Sequence, residues 1–225
     1  MANRVLIRNH GPDKDNVVKS FAAALKEAQR SGAKLIHLIV PAKSAFSGTV
    51  ISEFLGDGVS KELLKGSSVL IKDGISLKLE SPDTIRHSTQ VTIALAAYLG
   101  ARDLRSVDDL ANVKSVVFLS WISEEGEGWQ QSWDAQVLGE NRDEGKLDLQ
   151  PEIEEKLISL TNRINLSTGL SHPADLKAAK EMFRQLKDEA LPYEPKMLRS
   201  WALRNKWRPD FAEDLYEMAE KSLQD

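Results

Sequence analysis

Three short apolar runs rich in β-branched residues, Val5-Leu6-Ile7, Leu35 to Val40 and Val116-Val117-Phe118-Leu119, set the tightest limit on how this chain can fold. Each is bounded by polar or turn residues and shows little alternation, the pattern of a strand buried on both faces. A helix-length segment joins the first two. Asp13 or Asp15 can cap it, Val17, Val18, Phe21, Leu25 and Ala28 give it one apolar face, and Ser31-Gly32 stops it. Strand, helix and buried strand make one βαβ unit with a right-handed crossover.

The middle of the chain is less regular. Val69-Leu70-Ile71 and Ile75 to Leu79 flank Lys72-Asp73-Gly74, and Asp-Gly between such runs signals a β-hairpin. Val91 to Leu99 fits a buried strand or the continuation of a helix begun near Pro82-Asp83. A strand over Val91 to Tyr98 is preferred, because it feeds a short helix around Asp103 to Ala111 and then the Val116 strand, repeating the βαβ rhythm.

After Gly139 the texture changes. The charged, Gly-punctuated stretch from Gly139 to Lys146 suits a linker or an exposed loop. Every later periodic segment is helical: Ile153, Leu157, Leu160 and Ile164 form one stripe, and Pro173, Pro195 and Pro209 each stand at a helix start. The expected fold is α/β, a three-layer, mainly parallel, Rossmann-like sheet over residues 1–139. A linker over 140–150 then leads to a helical subdomain over 151–225, docked on the sheet domain because so small a bundle is marginal alone.

Bulk properties remove several classes of function. With 41% apolar and 28% charged residues the chain is of ordinary globular composition. A net charge of −4 makes no overall electrostatic case for nucleic acid or an anionic membrane. The absence of cysteine excludes disulfides, thiol catalysis and cysteine-bound zinc. Arg4 and Arg8 interrupt the first apolar run, so Met1 to Arg8 does not read as a signal peptide, and Val91 to Leu99 is about half of the roughly 20 residues a bilayer needs. A cytoplasmic protein without a membrane segment is expected.

Familiar catalytic signatures are missing: there is no P-loop, no G-x-G-x-x-G after the first strand, no G-x-S-x-G and no H-E-x-x-H. Ser31-Gly32-Ala33-Lys34 matches S-x-x-K but sits at a helix stop, where a left-handed glycine explains it. No cofactor is indicated, and the four scattered histidines compose no metal site.

The positive argument is positional, since ligands of open α/β sheets lie beyond the carboxyl ends of the strands. The first strand delivers Asn9 and His10, with Asp13 and Asp15 behind them. The second delivers Lys43, Ser44, Ser47 and Thr49, and the third Ser120 and Trp121. Lys43 with a Ser/Gly/Thr-rich turn entering a helix can hold a phosphate or carboxylate, although capping by Ser47 or Thr49 is the simpler account. His10 is capable of acid–base work, yet His-Gly-Pro-Asp also makes a turn and cap. Trp121, Trp129 and Trp133 among acidic residues suit an interaction surface or a cationic or aromatic ligand, or an amphipathic helix burying Trp129 and Trp133.

A last candidate is the basic segment 196–208, where Lys196, Arg199, Arg204, Lys206 and Arg208 interleave with Trp201 and Trp207. The acid-rich helix that follows disfavours nucleic acid there. The leading expectation is therefore a ligand-binding or protein-interaction module whose partner is a small anion or another protein. The alternative is a hydrolase or transferase acting on a phosphorylated or nucleotide-like substrate, with Asn9, His10, Lys43 and Ser44 at its centre.

Overall fold

A computed structural model describes residues 2–140 and 147–224, so 141–146 of the expected linker lie outside the described residues. The described residues form two compact units, 2–130 with 135–140, and 131–134 with 147–224.

The first unit is built on a seven-stranded sheet in the order β3-β4-β2-β5-β6-β1-β7. Its strands are β1 (Asn3–Ile7), β2 (Leu35–Ile39), β3 (Val69–Lys72), β4 (Ile75–Glu80), β5 (Thr92–Ala97), β6 (Val113–Leu119) and β7 (Gln136–Val137). All neighbours pair in parallel except β3, which is antiparallel to β4. The β3–β4 connection is the two-residue Asp73-Gly74 turn; both residues have positive φ, 51° and 74°, as a type I′ hairpin requires. β5 has every residue buried, so the Val91 region is a central strand.

The helices of this unit are α1 (Lys14–Ser31), α2 (Val50–Leu55), α3 (Asp57–Leu64), α4 (Ala101–Asp108) and α5 (Ser123–Trp133), whose last residues, from 131, belong to the second unit. Asp13 caps α1 by accepting from the Asp15 and Asn16 amides, and Gly32 ends it at φ 73°. Val17, Phe21, Ala24 and Ala28 of α1 share a core with Ile51, Leu63, Val5, Ile7, Ile36, Leu38, Val117 and Leu119. Val18 turns outward, 44% exposed, because it is one residue round the helix from Val17.

The alternate strand residues face the other side of the sheet. There Phe118 meets Trp129 of α5 edge to face, and Arg4 Nε donates to Asp108 Oδ1 at the end of α4. Connections that step from β1 to β2 and from β2 to β4 thus place their helices on one face, and those from β5 to β6 and β6 to β7 on the other, as one handedness demands. Leaving out β3, the parallel strands run third, second, fourth, fifth, first, sixth across the sheet. That departs from the 3-2-1-4-5-6 order of dinucleotide-binding folds, because the first strand lies between the fifth and the last.

The second unit contains α6 (Pro151–Arg163), α7 (Pro173–Asp188), α8 (Pro195–Arg204) and α9 (Pro209–Gln224). Each begins with proline at its first position, Pro151 included, where the missing N–H costs nothing. Ile153, Leu157, Leu160, Phe183, Leu186, Leu198, Trp201, Trp207 and Leu215 make its core. The two indoles keep their N–H groups satisfied, Trp201 on Glu154 Oε1 at 3.1 Å and Trp207 on Thr161 Oγ1 at 3.0 Å.

Candidate functional site

Neighbouring strands send their connections to opposite faces at two points of the sheet's carboxyl edge, between β1 and β6 and between β2 and β5, the positions where open α/β sheets bind ligands. The residues singled out in the sequence divide between them.

At the first of these points, Asn9 and Ser120 are buried and bonded to each other. The Asn9 N–H donates to Ser120 Oγ at 3.2 Å, and Asn9 Nδ2 donates to the carbonyls of Ser120 and Gly11 at 3.1 and 2.6 Å. Asn16 Nδ2 donates to Asn9 Oδ1 at 3.1 Å, and the Gly11 N–H to the Trp121 carbonyl at 2.9 Å. These bonds clip the two strand ends together. His10 is exposed beside the clip. Trp121, 43% exposed, stands edge-on to Tyr98 with ring centroids 5.0 Å apart.

Tyr98, which sequence reasoning did not single out, is unusual in two ways. Its φ of 61° is left-handed, a strained setting for an aromatic residue, and among the described residues its buried hydroxyl has no hydrogen-bond partner. Burial and the nearby Asp13 carboxylate push its phenol up to about 12.

At the end of β2, Lys43 begins a single 3-10 turn, Lys43–Ala45, with Ser44 and Ser47 exposed. Thr49 caps α2: its Oγ1 accepts from the Ser52 N–H at 3.2 Å and donates to the Phe46 carbonyl at 2.8 Å. Lys43 Nζ reaches outward to Glu80 Oε2 of β4 at 3.0 Å. The same carboxylate accepts from Thr84 Oγ1 at 2.6 Å, and Lys78 Nζ lies 2.8 Å from its other oxygen. Burial alone would raise the Glu80 pKa, but the hydrogen bonds from Lys78, Thr84 and Lys43 hold it at about 2.

His37 lies on the same face, in register with Lys78 and Ala94. It is 7% exposed, and neither ring nitrogen has a partner among the described residues. Burial holds its imidazole below the usual histidine range, with Lys78 acting in the same sense and Glu80 against it.

The Lys43–Glu80 contact lies four inter-strand steps from β1, about 19 Å at the usual strand spacing. Asn9, His10 and Ser120 therefore form one group, and Lys43, Ser44, Ser47 and Thr49 another. A single catalytic centre combining His10 with Lys43 is not assembled. Strand alternation was the one available signal for the second cluster, since Lys78 and Glu80 share a face of β4. Nothing local announces that Lys43 joins them.

The remaining candidates are spent within their own units. Trp129 is buried and its Nε1 donates to Asp108 Oδ2 at 2.8 Å, while Trp133 packs at the edge of the helical core. In the basic segment Trp201 and Trp207 are core residues, Arg199 lies 3.6 Å from Glu213, Arg204 donates to the Gln131 carbonyl at 2.7 Å, and Arg208 pairs with Asp210 and covers the Phe211 ring. Neither indole is free to stack on a base. Among the described residues no group of three His, Asp or Glu side chains gathers to hold a metal, and no helix is long and apolar enough to cross a membrane.

Fold and site together define a mixed α/β protein with a mostly parallel sheet, a charged cluster at its carboxyl edge and a helical C-terminal region. Residues 149–224 match the model of a family described as a domain of unknown function (DUF1889), a span that takes in α6 to α9 and leaves the sheet outside. No curated protein and no solved structure matches the chain.

Proposed function

We propose that the sheet unit binds a small anionic ligand, such as a phosphate ester or a carboxylate, at the ends of β2 and β4. One observation carries this reading: two ammonium groups, Lys43 and Lys78, converge on the single carboxylate of Glu80, leaving one cation in excess. Glu80 is 6% exposed in its side chain, whereas Lys43 and Lys78 are 28% and 38% exposed, so the surplus positive charge faces solvent. Ser44 and Ser47 add exposed hydroxyls near Lys43. A cationic rim on a low-dielectric wall attracts anions more strongly than the same charges spread over a surface.

The test is calorimetry and thermal melting of the full chain with inorganic phosphate, a sugar phosphate, a nucleoside monophosphate and a dicarboxylate. A ligand at a hundred times its Kd stabilises by roughly 2.7 kcal/mol. The expected result is stabilisation by at least one anion, abolished in Lys43→Ala and in Lys78→Ala. No response to any of these anions, or a response that both variants retain, rejects the site.

A second reading is supported by Trp121. An exposed indole edge-on to a strained tyrosine is suited to contact with another protein. Its mark is loss of a partner on Trp121→Ala with the anion response intact.

A further inference from the structure

Between α7 and α9 the helical unit carries an open groove of about 490 Å³. Half-buried Met218 is its exposed apolar side chain, with the Phe183 ring buried behind the wall, and Lys180, Arg184, Lys187 and Lys221 are its cations. Lys180, Arg184 and Lys187 fall at i, i+4 and i+7, one stripe along α7, and Lys221 stands opposite on α9. No carboxylate lines the groove. Arg184 is held by its own helix, 2.6 Å from Glu181 and 3.5 Å from Asp188. Lys180, Lys187 and Lys221 have no ion-pair partner among the described residues.

We infer that this groove is a docking site for an acidic, amphipathic segment of another protein. Charge complementarity selects the acidic character. Three unpaired ammonium groups around one opening repel one another, and a partner bearing carboxylates relieves that repulsion as it binds. The apolar surface selects the rest. Met218 is an unbranched thioether that adapts to varied side chains, and the methylene stems of Lys180, Lys187 and Lys221 add apolar surface beside it. The volume suits two or three side chains of a linear segment and is too small for a globular surface.

Other occupants fit less well. A polyphosphate backbone has nothing to set against Met218, and Trp201 and Trp207, which could otherwise stack on bases, are buried. A simple anion has no use for an apolar surface. The groove lies wholly within the span matched by the family model, so both of its walls belong to the matched unit. It shares no residue with the anion site on the sheet, and neither proposal rests on the other.

The experiment is selection of random dodecapeptides displayed on phage against the full chain, followed by fluorescence anisotropy with the selected peptides made synthetically. Peptides rich in Asp and Glu, with large apolar residues three or four positions apart, are the expected product. Their affinity should weaken with added salt. It should fall by at least about tenfold in Lys180→Glu/Lys187→Glu/Lys221→Glu, and also in Met218→Glu. All four positions are at least partly exposed, and circular dichroism establishes that each variant is folded. Should the triple variant unfold, Lys187→Gln alone gives the same comparison with a smaller loss. Failure to enrich any peptide, enrichment of peptides lacking acidic residues, or affinity unchanged in the folded variants overturns the proposal. So does tighter binding of oligodeoxythymidylate or phosphatidylserine vesicles that the same variants abolish, which would assign the groove to phosphate chemistry.

Discussion

Gly169→Ala is the sharpest single test of the packing of the helical unit. Gly169 has φ 56°, and a Cβ built on it falls 2.2 Å from Cγ and 2.4 Å from Cδ1 of Phe211. Carbon atoms in contact normally stand about 3.5–4.0 Å apart. The ring cannot swing clear at no cost, because Phe211 lies in the core and the Arg208 guanidinium sits 5.1 Å from its centroid. Forcing extra volume into a packed core costs about 1–3 kcal/mol. The left-handed backbone adds about 1–2 kcal/mol for any residue with a Cβ. The sum is a loss of roughly 2–5 kcal/mol, about 4 °C or more in melting temperature even if the whole chain unfolds as one. Hydrogen exchange of the core amides of α6 to α9 reads this unit without interference from the sheet. Ala190→Gly calibrates the backbone part within the same unit, since Ala190 is exposed at φ 52° and the change runs the other way. In a Phe211→Leu background the loss from Gly169→Ala should shrink toward that calibrated value. If Gly169→Ala costs no more than Ala190→Gly gains, the ring yields freely and the reasoning is refuted.

Two further outcomes test other parts of the fold. Trp201→Ala should destabilise the helical unit by about 3–5 kcal/mol, through the cavity and the lost bond to Glu154; an unchanged melting temperature would place the indole outside the core. His37→Leu should raise stability near neutral pH by about 1–3 kcal/mol, because two buried nitrogens without partners disappear. The folded imidazole pKa lies below its ordinary value of 6.5, so the unfolded chain takes up the proton first as pH falls. Stability is therefore complete above about pH 6.5 and is lost as pH falls below it. Glu80, held at about 2 against an ordinary 4.5, adds a further loss only as pH falls through about 4.5, and wild type and His37→Leu share it. Urea denaturation at pH values on either side of the histidine range should show wild type losing more stability than His37→Leu, and equal losses would count against a buried neutral His37.

What the sequence makes legible is what local physics decides. The β-branched runs at Val5, Leu35 and Val116 became central strands, Asp73-Gly74 closed a hairpin, and every proline expected to start a helix does so. Strand order was not legible, because it depends on which distant strands pair. The placing of β1 between β6 and β7 leaves no trace in periodicity. The strand-end residues show the same division. Asn9, Ser120 and Thr49 read as functional candidates from position, yet each satisfies a neighbour's backbone. Gly169 and Phe211, Lys43 and Glu80, and Arg4 and Asp108 meet across long stretches of chain. Pairs of this kind are set by packing, and nothing in the spacing of either residue announces them.

The two proposed surfaces can be separated because their residues are disjoint. Lys43 and Lys78 stand on the sheet edge; Lys180, Lys187, Lys221 and Met218 stand on α7 and α9. A real anion site responds to the first pair alone, and a real peptide groove to the second set alone. Lys180, Lys187 and Lys221 are exposed, and their replacement changes stability by about 0.5 kcal/mol at most; Lys43 and Lys78 hold the buried Glu80 carboxylate, so each of their variants is compared with its own unliganded melting temperature. A variant that silenced both activities would thus report unfolding of the chain, and would be visible as such in hydrogen exchange. The groove set lies within residues 149–224 and the anion set outside them, so each is tested in the full chain without touching the other.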